Sequence, residues 1–203
     1  MKKFLFSGSP RVLILGALSA VFLAVPAQAA MAAVDTSSCV EGAFSQHFVS
    51  IKDANWYTPM AGQDAEGFNG EGWQLSNGAR VVSTSLPNGT TGNVLDLPSG
   101  AVAVSPVTCV TSAYPTARAY VRNVKGGEGV AFNVEYEGTP TWGKYKNTGQ
   151  IHGANGAWAP SSAVNLQPFN TSGWQPMRIV MVGKGTTSDF QVYDLEVDPR
   201  LAH

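Results

Sequence analysis

Four aromatic residues, Trp142, Tyr145, Trp158 and Trp174, lie in or beside Gly- and Pro-rich stretches at 139–146, 153–161 and 171–176, with Asn147, Gln150, His152 and Asn155 among them. A saccharide ring has apolar C–H faces and a hydrogen-bonding rim, so flat aromatic rings beside amide and imidazole groups are what its recognition requires. Loops are solvated and tryptophan is mostly buried, so a loop tryptophan needs a reason; the plainer one is that these rings plug the open ends of a sandwich. Trp56-Tyr57 occupies another such loop. Trp73, within Gly72-Trp73-Gln74-Leu75, sits in a strand pattern and is expected in the core.

A second chemistry is suggested by Glu135 and Glu137, which stand at i and i+2 and so lie about 6.6–6.8 Å apart along one strand face. Glycoside hydrolysis requires such a pair, one carboxyl as acid and the other as base or nucleophile. Both, however, point away from the predicted core, where acids are ordinarily just solvated. His47, His152 and His203 have no Cys or second His at metal-ligand spacing and read as solvated or hydrogen-bonded imidazoles. No Gly-x-Ser-x-Gly elbow is present. Gly183-Lys184-Gly185-Thr186 lacks the spacing of a phosphate loop and reads as a tight turn between the two final strands. Asn88-Gly89-Thr90 and Asn170-Thr171-Ser172 match glycosylation sequons.

The elements that must position these residues are strands. The chain has 203 residues, 44% hydrophobic, 13% charged and 10% aromatic, with 22 Gly and 12 Pro. That is too apolar for wholesale disorder, and too poor in Ala, Lys, Glu and Arg beyond residue 30 for a helix bundle. Short β-branched or aromatic runs alternate with Gly, Pro, Asn and Asp, predicting strands at 48–51, 72–75, 80–83, 94–97, 102–104, 117–124, 129–137, 143–151, 164–169, 177–182 and 190–197. In Val130–Tyr136, Val130, Phe132, Val134 and Tyr136 share one side and face the core. Ala119, Val121 and Asn123 alternate with Arg118, Tyr120, Arg122 and Val124, a pattern that leaves the orientation open. In the last run the inward period slips: Phe190 and Val192 share one parity, Leu195 and Val197 the other. A β-bulge near Tyr193-Asp194 would put all four on one face.

Residues 1–29 read as a signal peptide. Lys2, Lys3 and Arg11 precede an apolar run from Val12 to Val25 of about 14 residues, short of the roughly 20 that span a bilayer core. Ala27-Gln28-Ala29 then supplies the small-x-small cleavage pattern. Loss of three of the 13 basic residues against 14 acidic ones leaves a net charge of about −4, which argues against nucleic acid or anionic lipid as partner. Residues 30–38 are expected to be a flexible entry and 39–203 a single domain. In an oxidising compartment the two cysteines, Cys39 and Cys109, are expected to pair; closing a loop of about 70 residues is worth about 4.4 kcal/mol in the chain-entropy treatment.

Several features in order are similar to a group of secreted actinobacterial proteins. They are an opening Cys with a Phe-rich segment, Asp53-Ala54-Asn55-Trp56-Tyr57-Thr58-Pro59, Gly72-Trp73, Leu97-Pro98-Ser99-Gly100 leading to Ser105-Pro106 and Cys109, and the closing Phe190 to Pro199 strand. The resemblance implies a galactose-binding-like jelly roll of the kind many carbohydrate-binding modules use. Such jelly rolls often carry a structural calcium near the chain ends, for which Glu41, Asp53, Asp194 and Asp198 offer hard oxygen ligands. In the family pattern paired acids stand in the last strand; here Tyr193 takes one of those places. The expectation is therefore an all-β, antiparallel two-sheet sandwich of jelly-roll type, secreted and extracellular, without an organic cofactor. Its expected role is non-catalytic recognition of a glycan or cell-envelope component. A polysaccharide-active enzyme using Glu135 and Glu137, and a structural or protein-interaction module, are the alternatives.

Overall fold

The alternation in Val130–Tyr136 is the alternation of the structure: Val130, Phe132, Val134 and Tyr136 are all buried in the core between two sheets. The computed structural model describes residues 35–39, 42–138, 142, 144–168 and 173–199. The expected signal peptide, Glu41, the sequon at Asn170 and His203 lie outside the described residues.

A one-turn 3-10 helix at Val49–Ile51 precedes sixteen described strands. These are β1 (Thr58–Pro59), β2 (Gln63–Asp64), β3 (Gly67–Phe68), β4 (Gln74–Ser76), β5 (Arg80–Ser85), β6 (Thr91–Pro98), β7 (Val102–Val104) and β8 (Thr108–Val110). They continue with β9 (Thr116–Lys125), β10 (Val130–Tyr136), β11 (Lys144–Ile151), β12 (Ala154–Asn155), β13 (Ala159–Pro160), β14 (Val164–Asn165), β15 (Gln175–Gly183) and β16 (Asp189–Asp198). The larger sheet runs β12-β9-β16-β6-β3-β2, with β1 on β16, β5 on β6 and β13 and β14 on β9. The smaller runs β11-β10-β15-β7-β4, with β8 on β15. Pairing is antiparallel except at β12 with β9 and β3 with β6. The result is an all-β, two-sheet sandwich of jelly-roll type. Among the described residues no helix is long and apolar enough to cross a membrane.

The strand expected at 48–51 is instead the 3-10 turn. Phe48 is buried against Tyr57 edge-on at 5.1 Å between ring centroids, while Val49 and Ile51 are exposed, so one ring anchors the segment and no second residue extends a strand face. On β9 the open orientation resolves: Ala117, Ala119, Val121 and Asn123 are buried, leaving Arg118, Tyr120 and Arg122 on the outer face of the larger sheet. Trp73 is core, with its Nε1 donating to the Ala61 carbonyl at 2.8 Å.

The bulge in β16 is present. Tyr193 pairs with Tyr120 and Glu196 with Arg118, so three steps on β16 match two on β9. Asp194 takes the extra position with φ 57°, a left-handed conformation that Asp tolerates better than most side chains. Phe190, Val192, Leu195 and Val197 are all buried on the core side as a result. Gln63 fastens the bulge: its Oε1 accepts from the Leu195 N–H and its Nε2 donates to the Leu195 carbonyl, both at 2.8 Å.

Cys39 and Cys109 form a disulfide with Cα atoms 5.5 Å apart, 70 residues apart in sequence. Cys109↔Pro176 pairing puts β8 on the smaller sheet, so the bridge ties the entry of the chain to that sheet. Cys109→Ser is expected to lower stability by about 4 kcal/mol, from the closure entropy of that loop. A urea midpoint that stays where it was would show that the entry segment is held by other contacts.

Candidate functional site

Residues directly opposite one another on neighbouring strands share a face. Across the larger sheet, Arg80 on β5 faces Asp96 on β6, Asp96 faces Gln191 on β16, and Gln191 faces Arg122 on β9. Their side chains join into one ladder. Arg80 Nη2 lies 2.5 Å from Asp96 Oδ2, Gln191 Nε2 donates to Asp96 Oδ1 at 3.2 Å, and Arg122 Nε donates to Gln191 Oε1 at 3.0 Å. Asp96, buried at the centre of the ladder, thus meets a guanidinium on one side and an amide on the other.

Arg122 also donates from Nη2 to Thr84 Oγ1 on β5 at 2.6 Å. Two strands, β16 and β6, separate β9 from β5, and in a flat sheet that interval is about 14 Å. No arginine side chain covers such a distance, so the outer face must curl into a concave trough. Trp158, just before β13, crosses the same trough: its Nε1 donates to the Ser85 carbonyl at 2.7 Å. Its ring lies 4.9 Å from the Arg122 guanidinium carbon, a cation–π contact, and 6.0 Å from the Tyr193 ring. Tyr193 and Tyr120, register partners and both half-buried, continue the aromatic surface. Burial and the nearby Asp194 charge raise both phenol pKa values, so both hydroxyls stay protonated and able to donate.

Beyond the tyrosines the bulge brings acids and an imidazole together. His47 Nε2 and Asp194 Oδ2 are hydrogen-bonded at 2.5 Å, and that bond raises the His47 pKa. Glu196 is 3% exposed, and burial, reinforced by the Asp194 charge, pushes its carboxyl up to about 8. The ligand atoms of His47, Asp194 and Glu196 all lie within 4.8 Å of one another. Nothing local in the sequence signals this meeting, since His47 and Asp194 are 147 residues apart.

The residues picked from the sequence divide between the two sheets. Trp158 lies over the larger sheet. Trp142 instead stacks on Arg178 of β15, with the guanidinium carbon 4.9 Å from its ring, on the smaller sheet. Tyr145 is on β11 opposite Glu135, and Asn147 and Gln150, both exposed, follow on the same edge strand. Asn147 spends its Oδ1 on the Gly149 N–H. His152 is exposed beyond β11, Asn155 borders a shallow groove of about 350 Å³ with Asn123 and Lys125, and Trp174 is half-buried before β15. These groups are divided between two sheets, because β11 pairs with β10 whereas β12 and β13 pair with β9.

Glu135 is held by Arg178, whose Nε donates to Glu135 Oε2 at 2.6 Å, and Glu137 follows the end of β10. The Oε2 oxygen of Glu135 is thereby committed to a charge-assisted hydrogen bond. Of the four acids considered for calcium, Glu41 lies outside the described residues. Asp53 takes a hydrogen bond from Tyr57 Oη at 2.8 Å and lies 2.5 Å from Arg118 Nε, while Asp198 is fully buried beside Thr116. Only Asp194 belongs to a group of possible metal ligands among the described residues.

No family model matches the chain, and no curated protein matches it. Among solved structures the chain is similar to the CBM22-1 xylan-binding domain of Paenibacillus barcinonensis Xyn10C, with 12% identity and TM-score 0.44 over 64% of this chain and 88% of that one. It is also similar to a family 11 carbohydrate-binding module from Clostridium thermocellum, with 11% identity and TM-score 0.42 over 72% and 96%. A family 16 carbohydrate-binding module aligns with 13% identity and TM-score 0.44 over 68% and 96%.

Burial of Glu196 makes stability depend on pH. An exposed glutamate releases its proton near 4.5, whereas the folded protein holds this one up to about 8. Folding therefore binds the proton across that interval, and stability falls as pH rises through it. His47 acts in the same sense: its stabilisation is full below 6.5 and is lost as pH rises through its raised folded value. In chelator-treated protein the melting temperature is expected to fall from pH 5 to pH 9, and Glu196→Gln is expected to remove most of that slope. A variant with the wild-type slope would assign the dependence to other groups.

Proposed function

We propose that this protein is an exported, non-catalytic module that recognises a glycan chain in the concave outer face of its larger sheet. The observation that carries the reading is the arrangement of that face. Three aromatic rings, Trp158, Tyr193 and Tyr120, adjoin a ladder of guanidinium, amide and carboxylate groups, Arg122, Gln191, Asp96 and Arg80, fixed by mutual hydrogen bonds and strand pairing. The rings offer apolar contact to sugar C–H faces and the ladder offers donors and acceptors to hydroxyls. Because the strands are paired and the polar groups already held, little conformational freedom is lost on binding.

Export is supported by the N-terminal Lys2-Lys3, the short apolar run and Ala27-Gln28-Ala29, and by the Cys39–Cys109 bridge, which suits an oxidising compartment. A non-catalytic role is supported by the Glu135–Arg178 pairing, which occupies the carboxylate an acid–base mechanism would use.

Affinity electrophoresis against xylan, mixed-linkage glucan, mannan and peptidoglycan fragments tests the reading. Tyr193→Ala and Tyr120→Ala are each expected to weaken binding roughly tenfold, on the order of 1 kcal/mol per lost ring contact. No new reducing ends should form. Unchanged retention in both variants, or retention lost in Trp142→Ala alone, would move the site to the smaller sheet or abolish it.

A further inference from the structure

Beside the tyrosines, at the wide end of the bulge, three side chains have a chemistry that glycan contact does not use. We propose that His47 Nε2 and the carboxylates of Asp194 and Glu196 form a binding site for one divalent cation of the zinc class.

The donor set is the first ground. One imidazole nitrogen and two carboxylates, all within 4.8 Å of one another, give three protein ligands and leave a fourth position open. An imidazole donor favours a borderline cation over calcium or magnesium, which take oxygen ligands in larger number.

The second ground is independent of the cluster's internal bonds. Glu196 is 3% exposed, and its Oε2 accepts no hydrogen bond among the described residues. A buried carboxylate oxygen without a partner costs free energy unless a cation or donor meets it. Asp96, buried on the same sheet, is by contrast met by the Arg80 guanidinium. Arg118 is the register partner of Glu196, yet its guanidinium is already shared between Asp53 and the Ser161 carbonyl. Among the described residues Glu196 thus has no guanidinium or ammonium of its own; an imidazole and a second acid stand beside it, and a cation bound by all three would supply the missing positive charge.

Ligand atoms around a tetrahedral cation stand roughly 3.3 Å apart; here they run from 2.5 Å between His47 Nε2 and Asp194 Oδ2 to no more than 4.8 Å, so binding draws the set to a common spacing. The His47 side chain is 33% exposed, with its ring edge-on to Phe48 at 4.9 Å, so its open side faces solvent.

The inference does not rest on the glycan reading, because uptake is measured with no glycan present. Chelator-treated protein is titrated with zinc chloride by calorimetry near pH 7.5, and the cobalt(II) form is followed by visible absorption. The expected result is one equivalent of zinc bound, weakened at least about tenfold by His47→Ala and by Glu196→Gln, with millimolar calcium unable to displace it. Circular dichroism confirms that each variant is folded, and His47→Gln, which keeps the size of the side chain, replaces His47→Ala if that variant is not. Substoichiometric uptake, uptake unchanged in both variants, or displacement by calcium would each overturn the proposal.

Discussion

One extra residue in the last strand governs the architecture of the outer face. Without Asp194 as a bulge, β16 could not bury Phe190 and Val192 together with Leu195 and Val197, because side chains alternate across an unbroken strand. The core requires all four, so the chain takes the bulge and a left-handed Asp194 with it. Gln63 meets the backbone groups the bulge releases, replacing ladder bonds that β6 no longer provides once its pairing with β16 stops at Val192. The cost of the irregularity is offset by the apolar burial it permits.

What the bulge does on the opposite face follows from the same constraint. Tyr193 still points outward before the extra residue and Glu196 points outward after it, so an aromatic ring and two acids crowd into a short length of strand. Neighbouring Tyr120 and His47 complete two different environments there: a partly apolar shelf continuous with Trp158, and a corner where buried Glu196 meets the partly exposed Asp194 and His47. The outer face of the smaller sheet is built otherwise. Its Arg178 is committed to Glu135 and to the Trp142 ring, which closes the charges on one another.

Much of the fold was legible in local periodicity. The inward parity of Val130–Tyr136 and the slip between Val192 and Leu195 are properties of a single strand, and a sequence displays them directly. The β9 run was ambiguous because alanines mark its core side while tyrosine and arginine stems supply apolar surface to the other. The segment at 48–51 misled because Phe48 buries its ring alone, leaving its neighbours in solvent. The site was less legible still. Trp142 and Trp158 are close in sequence, but the chain changes sheets between β11 and β12, so proximity along the chain did not become proximity in space. The His47–Asp194 contact joins segments near opposite ends of the domain, and the Arg80–Asp96–Gln191–Arg122 ladder needs a strand order that no single run encodes.

The proposed glycan site is the concave face ordered around this bulge. Side-chain N–H resonances in a nitrogen-15 spectrum report on both faces at once: Trp158 Nε1, Arg122 Nε and the Gln191 amide on one, Trp142 Nε1 and Arg178 Nε on the other. Titration with a soluble oligosaccharide drawn from a polysaccharide that retains the protein is predicted to shift the first set in a saturable way and leave the second in place. Shifts confined to Trp142 and Arg178 would contradict the account.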